Sequence, residues 1–80
     1  MMAQRLIPDK VVDRKRFGLN LWKLIDAKYP TIQAFAWAMG YTAPSTVQNW
    51  INGHAMPNSA QLKLIVKTLG TDYNTLMEGV

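Results

Sequence analysis

Four hydrogen-bonding side chains crowd into one short stretch of this chain: Ser45, Thr46, Gln48 and Asn49. Their chemistry is neutral. A hydroxyl both donates and accepts, and a carboxamide carries a donor and an acceptor side by side. That paired edge matches N6 and N7 of adenine; Ser and Thr can bond several base edges, and a threonine methyl can touch the methyl of thymine. The plain alternative is an ordinary polar helix face. A second set could hold phosphate. Thr31, Gln33, Asn52, His54 and Asn58 flank the first set, and Arg14, Lys15 and Arg16 form a basic run upstream. Phosphate oxygens are met by cations, hydroxyls, amides and backbone N–H groups alike. Each of these residues also has an everyday role. Asn52-Gly53 is a common helix stop, His54 is a loop residue, and a basic run is most often a solvated face.

Catalysis finds little to work with. His54 has no cysteine, serine elbow or acidic partner near it, and the whole chain holds one histidine, five carboxylates and no cysteine. A metal site needs several such ligands. The glycines are scattered, mostly as helix stops, and form no phosphate-cradling loop. The sequence therefore predicts no enzyme, no metal, no cofactor and no small-molecule ligand. Without cysteine there are no disulfides, so stability must come from packing, with three tryptophans as large contributors.

The charge balance points toward an acidic partner. The formal charge is +4 and the sequence pI about 9.7, in the range that suggests nucleic acid. A slightly basic surface kept for solubility is the bland reading. The distribution says more than the total. Seven of the nine basic residues lie before residue 29, and from Tyr29 through Leu62 there is no Lys, Arg, Asp or Glu. The stretch holding Ser45 to Asn49 would work with neutral groups, without carboxylates to repel phosphate. Charge for affinity would come from elsewhere.

These residues need helices to hold them. Eighty residues, 49% of them hydrophobic, suit one small globular domain. Residues 1–12 read as an N-terminal arm or helix extension carrying Arg5, and residues 13–80 as the domain. Asp9 or Asp13 can cap a first helix to about Lys28, with Phe17, Leu21, Leu24 and Ile25 as its apolar face. Gly18 inside that helix costs about 1 kcal/mol against alanine, which suggests a close helix contact or a helix start near Phe17. Thr31 can cap a second helix with Phe35, Ala36 and Met39 inward, and Gly40 ends it. A third begins near Pro44–Ser45, capped by Ser45 or Thr42, with Val47, Trp50 and Ile51 inward. Asn52-Gly53 closes it. Asn58 or Ser59 caps a fourth with Leu62, Ile65, Val66 and Leu69 apolar, Lys63 and Lys67 lying on another side. Thr71 or Asp72 caps a short fifth with Tyr73, Leu76 and Met77 apolar. No strand-like alternation occurs. Trp37 and Tyr41 do not fit the core stripe, and an exposed large aromatic marks a covered or contacting surface.

The pattern Thr31-x-x-x-Phe35-Ala36-x-x-Met39-Gly40, then Val47-x-x-Trp50-x-Asn52-Gly53 and Pro57, resembles the phage repressor and Cro-like helix-turn-helix family. The likeness runs from about Phe17 to Met77, with a turn between Gly40 and Val47 one residue longer than usual. It implies an all-α fold of five helices, lambda-repressor-like, with helices 2 and 3 as the helix-turn-helix. It also implies that Ser45, Thr46, Gln48 and Asn49 reach base edges in the major groove. Thr31 and Gln33, at the start of the second helix, would face phosphate; so would Asn52, His54 and Asn58, in the loop after the third. Family members often pair an arginine in helix 1 with a glutamate before the Asn-Gly. Ile25 and Ile51 stand at the matching positions, as an apolar pair can.

Two functions compete. The first is a transcriptional regulator that binds a palindromic double-stranded DNA operator as a homodimer and blocks polymerase. The second is a protein-interaction module on the same fold, such as the antitoxin-like partner of another protein, using a surface of Trp37, Leu76 and Met77. No signal peptide or membrane-spanning run is visible, so a cytoplasmic location is expected.

Overall fold

The computed structural model describes residues 13–80, and among these the chain forms five α-helices and no strand. They are α1 (Arg14–Lys28), α2 (Ile32–Ala38), α3 (Ser45–Ile51), α4 (Ser59–Leu69) and α5 (Tyr73–Leu76). The arm expected over residues 1–12, with Arg5 and Asp9, lies outside the described residues.

Side-chain caps start four of the five helices. Asp13 Oδ1 accepts from the Arg16 N–H at 3.0 Å, and Thr31 Oγ1 from the Ala34 N–H at 3.0 Å. Asn58 Oδ1 accepts from the Gln61 N–H at 2.8 Å while Gln61 Oε1 accepts from the Asn58 N–H at 2.8 Å, a reciprocal box. Asp72 Oδ1 accepts from the Thr75 N–H at 2.7 Å. All four capping residues have extended backbone, the conformation that aims a side-chain oxygen back at the first turn. Tyr29 ends α1 at φ −124° and ψ 146°, as a residue before proline is driven to do. Gly40 carries the chain out of α2 at φ 91°, a conformation cheap only for glycine.

One apolar cluster joins all five helices: Phe17, Leu21 and Ile25 from α1, Phe35 and Ala36 from α2, Val47 and Trp50 from α3, Ile65 and Leu69 from α4, and Leu76 from α5. Trp50 is the largest of these fully buried side chains. The Tyr41 ring meets it edge-on at 6.1 Å between centroids, while the Tyr41 hydroxyl accepts from Gln61 Nε2 at 3.3 Å. Tyr41 thus belongs to the packing around Trp50, not to a loose surface.

Of the helix pairs, α1 packs most extensively on α3. Gly18 makes this possible. A Cβ placed there would fall on the Ile51 carbonyl oxygen and within 2.7 Å of the Trp50 carbonyl oxygen. The glycine's cost to helix stability is offset by the approach of two backbones. Ile25 is buried and Ile51 half-buried against the same core; the backbone of α3 meets α1 about two turns upstream of Ile25, at Gly18.

Polar side chains of α1 and of Tyr29, its C-cap, fasten the chain around the ends of α4 and α5. Asn20 Nδ2 donates to the carbonyls of Leu76 at 3.0 Å and Glu78 at 2.8 Å. Lys28 Nζ donates to the Leu69 carbonyl at 2.8 Å, and the Tyr29 hydroxyl to that of Thr68 at 3.3 Å. The Thr68, Leu69 and Leu76 carbonyls lie in the last turns of α4 and α5, where a helix leaves acceptors without partners, and Glu78 lies two residues past α5.

Three expectations are corrected. Neither Ser45 nor Thr42 caps α3: Pro44 already sits in helical backbone at φ −82° and ψ −2°, so no extended residue aims a hydroxyl at the first turn. Tyr73 is 52% exposed and is not part of the core; the four-residue α5 has room for one inward side chain, and Leu76 takes it. Leu76 is fully buried and cannot form a contact surface.

Candidate nucleic-acid interface

In α3 the buried pair Val47 and Trp50 fixes which way everything else points. Ser45, Thr46, Gln48 and Asn49 are all exposed. At about 100° per residue, Ser45 and Asn49 lie one turn apart and face directly away from Val47, with Gln48 and Thr46 to either side. Asn52 continues the stripe past the helix end and is exposed. Among the described residues none of the four α3 side chains makes a hydrogen bond. The hydroxyls and amides of α3 are unengaged by these residues.

No family of proteins, no characterised protein and no solved structure matches this chain.

The surroundings of α3 contain both placed and diverted groups. After Asn52 the chain turns at Gly53, where a Cβ would come within 3.0 Å of Lys15 Cγ and 3.4 Å of the Lys15 backbone nitrogen. The start of α1 therefore abuts the loop that leaves α3, and Lys15, Asn52 and His54, all exposed, fall in one neighbourhood. That grouping joins residues far apart in the sequence. Arg14 is exposed at the first position of α1. Arg16 is drawn the other way: its Nε donates to the Glu78 carbonyl at 3.4 Å, toward the chain's last turn. Thr31 uses its oxygen on the α2 cap, which leaves its hydroxyl proton to donate. Asn58 has its oxygen in the reciprocal box, which leaves its Nδ2 hydrogens. Gln33 is half-buried in the first turn of α2, and its Nε2 is enclosed with no partner among the described residues.

Two further surfaces stand outside this region. Trp37, on α2, is 64% exposed. An open groove of about 360 Å³ runs between α4 and α5, lined by Ser59, Leu62, Lys63, Val66 and Tyr73. Among the described residues no three His, Cys, Asp or Glu side chains come together, and no helix is long and apolar enough to cross a membrane.

Sequence reasoning missed Asn20 and Lys28 as fastenings and Tyr41 as a partner of Trp50. An asparagine within a helix is a signal in itself, since its side chain competes for backbone groups. Nothing in the sequence marks which lysine meets a helix end.

Proposed function

We propose that this protein is a sequence-specific, double-stranded DNA-binding transcriptional regulator. In this reading the fold is lambda-repressor-like, as in phage repressors and Cro, and α2 and α3 form the helix-turn-helix. The observation that carries it is the outward face of α3: four exposed hydrogen-bonding side chains, none occupied by another described residue. A polar face needed only for solvation works as well with charges, yet this one has none, and no carboxylate stands nearby in sequence to repel phosphate. In the bound state α3 lies in the major groove and Ser45, Thr46, Gln48 and Asn49 meet base edges. Lys15, Arg14, Asn52 and His54 meet the backbone where α1 abuts the loop after α3, with Thr31 and Asn58 contributing the protons their caps leave free. Two copies on a palindromic operator, about 34 Å apart centre to centre, would read half-sites one turn apart.

The test is titration of duplex DNA with the full chain, against Lys15→Gln and a Ser45→Ala/Gln48→Ala/Asn49→Ala triple variant. Lysine loss should weaken binding to every sequence and flatten the dependence of log K on log salt by about 0.9 for each phosphate no longer neutralised. The triple variant should keep weak general binding and lose preference for any one sequence. Binding indifferent to salt, or a triple variant with undiminished selectivity, would refute this assignment.

A protein-interaction module on the same fold is the second reading, and the exposed Trp37 favours it. It predicts no duplex binding at any salt and a protein partner that Trp37→Ala no longer binds.

A further inference from the structure

We infer that the major-groove bases read by α3 are A·T pairs, and that discrimination and electrostatic attachment reside in separate parts of the molecule. This rests on the DNA-binding reading above and narrows it to a class of operator. The observation is one of chemical inventory at a defined place. The exposed side chains of α3 are two carboxamides and two hydroxyls. No charged residue occurs anywhere between Tyr29 and Leu62, a span that holds all of α2, all of α3 and both loops flanking α3.

Each base pair asks for a different edge. Guanine presents two acceptors, and the common specific answer is a bidentate cation, Arg or Lys; cytosine presents an amino group answered by Asp or Glu. Neither answer exists on α3 or beside it in sequence. Adenine presents an acceptor and a donor together, which a carboxamide meets with two hydrogen bonds; thymine presents a methyl, which a threonine methyl can touch. Gln48 and Asn49 supply the carboxamides and Thr46 the methyl. A glutamine or serine can also make one hydrogen bond to guanine, but a single bond competes poorly with a bidentate pair.

The second half follows from position. Lys15 sits against Gly53, past the last residue of α3, so its charge serves the phosphates at the groove's edge and not the bases beneath Ser45 to Asn49. Counterion release then scales affinity for every sequence alike. The ratio of specific to non-specific affinity should hold constant as salt changes, although both affinities fall.

The experiment is selection of binding sites from a random duplex pool by the full chain at one salt concentration, repeated with Gln48→Ala and Asn49→Ala. Affinities for the selected site and for a scrambled duplex are then measured at three salt concentrations. Expected are A·T pairs at the positions whose preference each alanine relaxes, by about 5- to 150-fold per position, and a selectivity ratio constant within about twofold. Asn49→Arg should shift one selected position toward guanine. Both alanine variants should keep the wild-type circular dichroism, since the side chains are exposed. Selected G·C pairs at the alanine-sensitive positions, or a selectivity ratio that falls steeply with salt, would overturn this inference and leave DNA binding standing. So would a consensus that neither alanine alters. A pool with no enrichment and no duplex binding would overturn both.

Discussion

The starts of α3 and α4 differ in how they use the same kinds of residue. At α4, Asn58 and Gln61 commit their side-chain oxygens to each other's backbone N–H groups, which leaves over the Asn58 amide hydrogens and the Ser59 hydroxyl. At α3, the entering proline is already helical, no side chain caps the turn, and two hydroxyls and two amides face outward unpaired by described residues. An uncapped seven-residue helix is unstable on its own merits. It persists here because Val47 and Trp50 are buried and α1 lies against its backbone at Gly18. The lesson is a division of labour: both helices bury apolar side chains, but the start of α4 is also fastened by its own polar groups, whereas α3 is held only from behind, so its polar groups remain available.

The strongest way to break this comparison is to remove what holds α3 from behind. Trp50→Ala should cost about 3–5 kcal/mol, the range for truncating a large aromatic in a core. Chemical denaturation would measure it, and a variant that unfolded at the wild-type denaturant concentration would show that α3 does not depend on that burial. Gly18→Ala comes next. Alanine ordinarily improves a helix interior by about 1 kcal/mol, but here its methyl meets the Ile51 carbonyl. The net result should be destabilisation of about 1–3 kcal/mol, as for overpacked sites. A thermal melt that rose instead would place α1 farther from α3.

A matched pair of alanines sharpens the contrast itself. Asn58→Ala should lose about 1 kcal/mol through the vanished cap. Ser45→Ala should stay within about 0.5 kcal/mol, as for an exposed side chain with no structural task. Equal losses at both positions would mean that Ser45 caps α3 after all. The smallest effect concerns α5. The Thr75 hydrogen bonds, side-chain first and backbone second, hold the Asp72 carboxyl below its ordinary value. A lowered folded value means the contribution is present above the unfolded value and fades as pH falls through the folded one. The Thr75 amide signal should therefore shift as the solution is taken below the usual carboxylate range, and Asp72→Ala should abolish that dependence.

Much of the helical layout was legible because it rests on local rules. Thr31, Asp13 and Asn58 cap as their residue types predict; Gly18 pointed either to a close approach or to a helix start near Phe17, and the helix beginning at Arg14 with the Ile51 carbonyl against Gly18 decides for the approach. The α3 cap was misread because proline before the helix suits either a cap or a first turn, and only the observed backbone angles separate the two. The candidate site divides in the same manner. That Ser45, Thr46, Gln48 and Asn49 face outward follows from helical period once Val47 and Trp50 are inward. That Lys15 joins the Gly53 loop, that Arg16 turns to Glu78, and that Gln33 folds its amide inward are matters of tertiary packing. No window of neighbouring residues encodes them.

Asn20 bonds carbonyls that lie 56 and 58 residues further along the chain. During synthesis those acceptors emerge long after α1 does. Neither bond can form until Leu76 and Glu78 have been made. Closing so long a loop is slow, because its entropy is lost before any bond is gained. A ribosome that stalls within α4 would thus hold a nascent chain in which the Asn20 amide has neither of these acceptors, even though most of the domain had already been made.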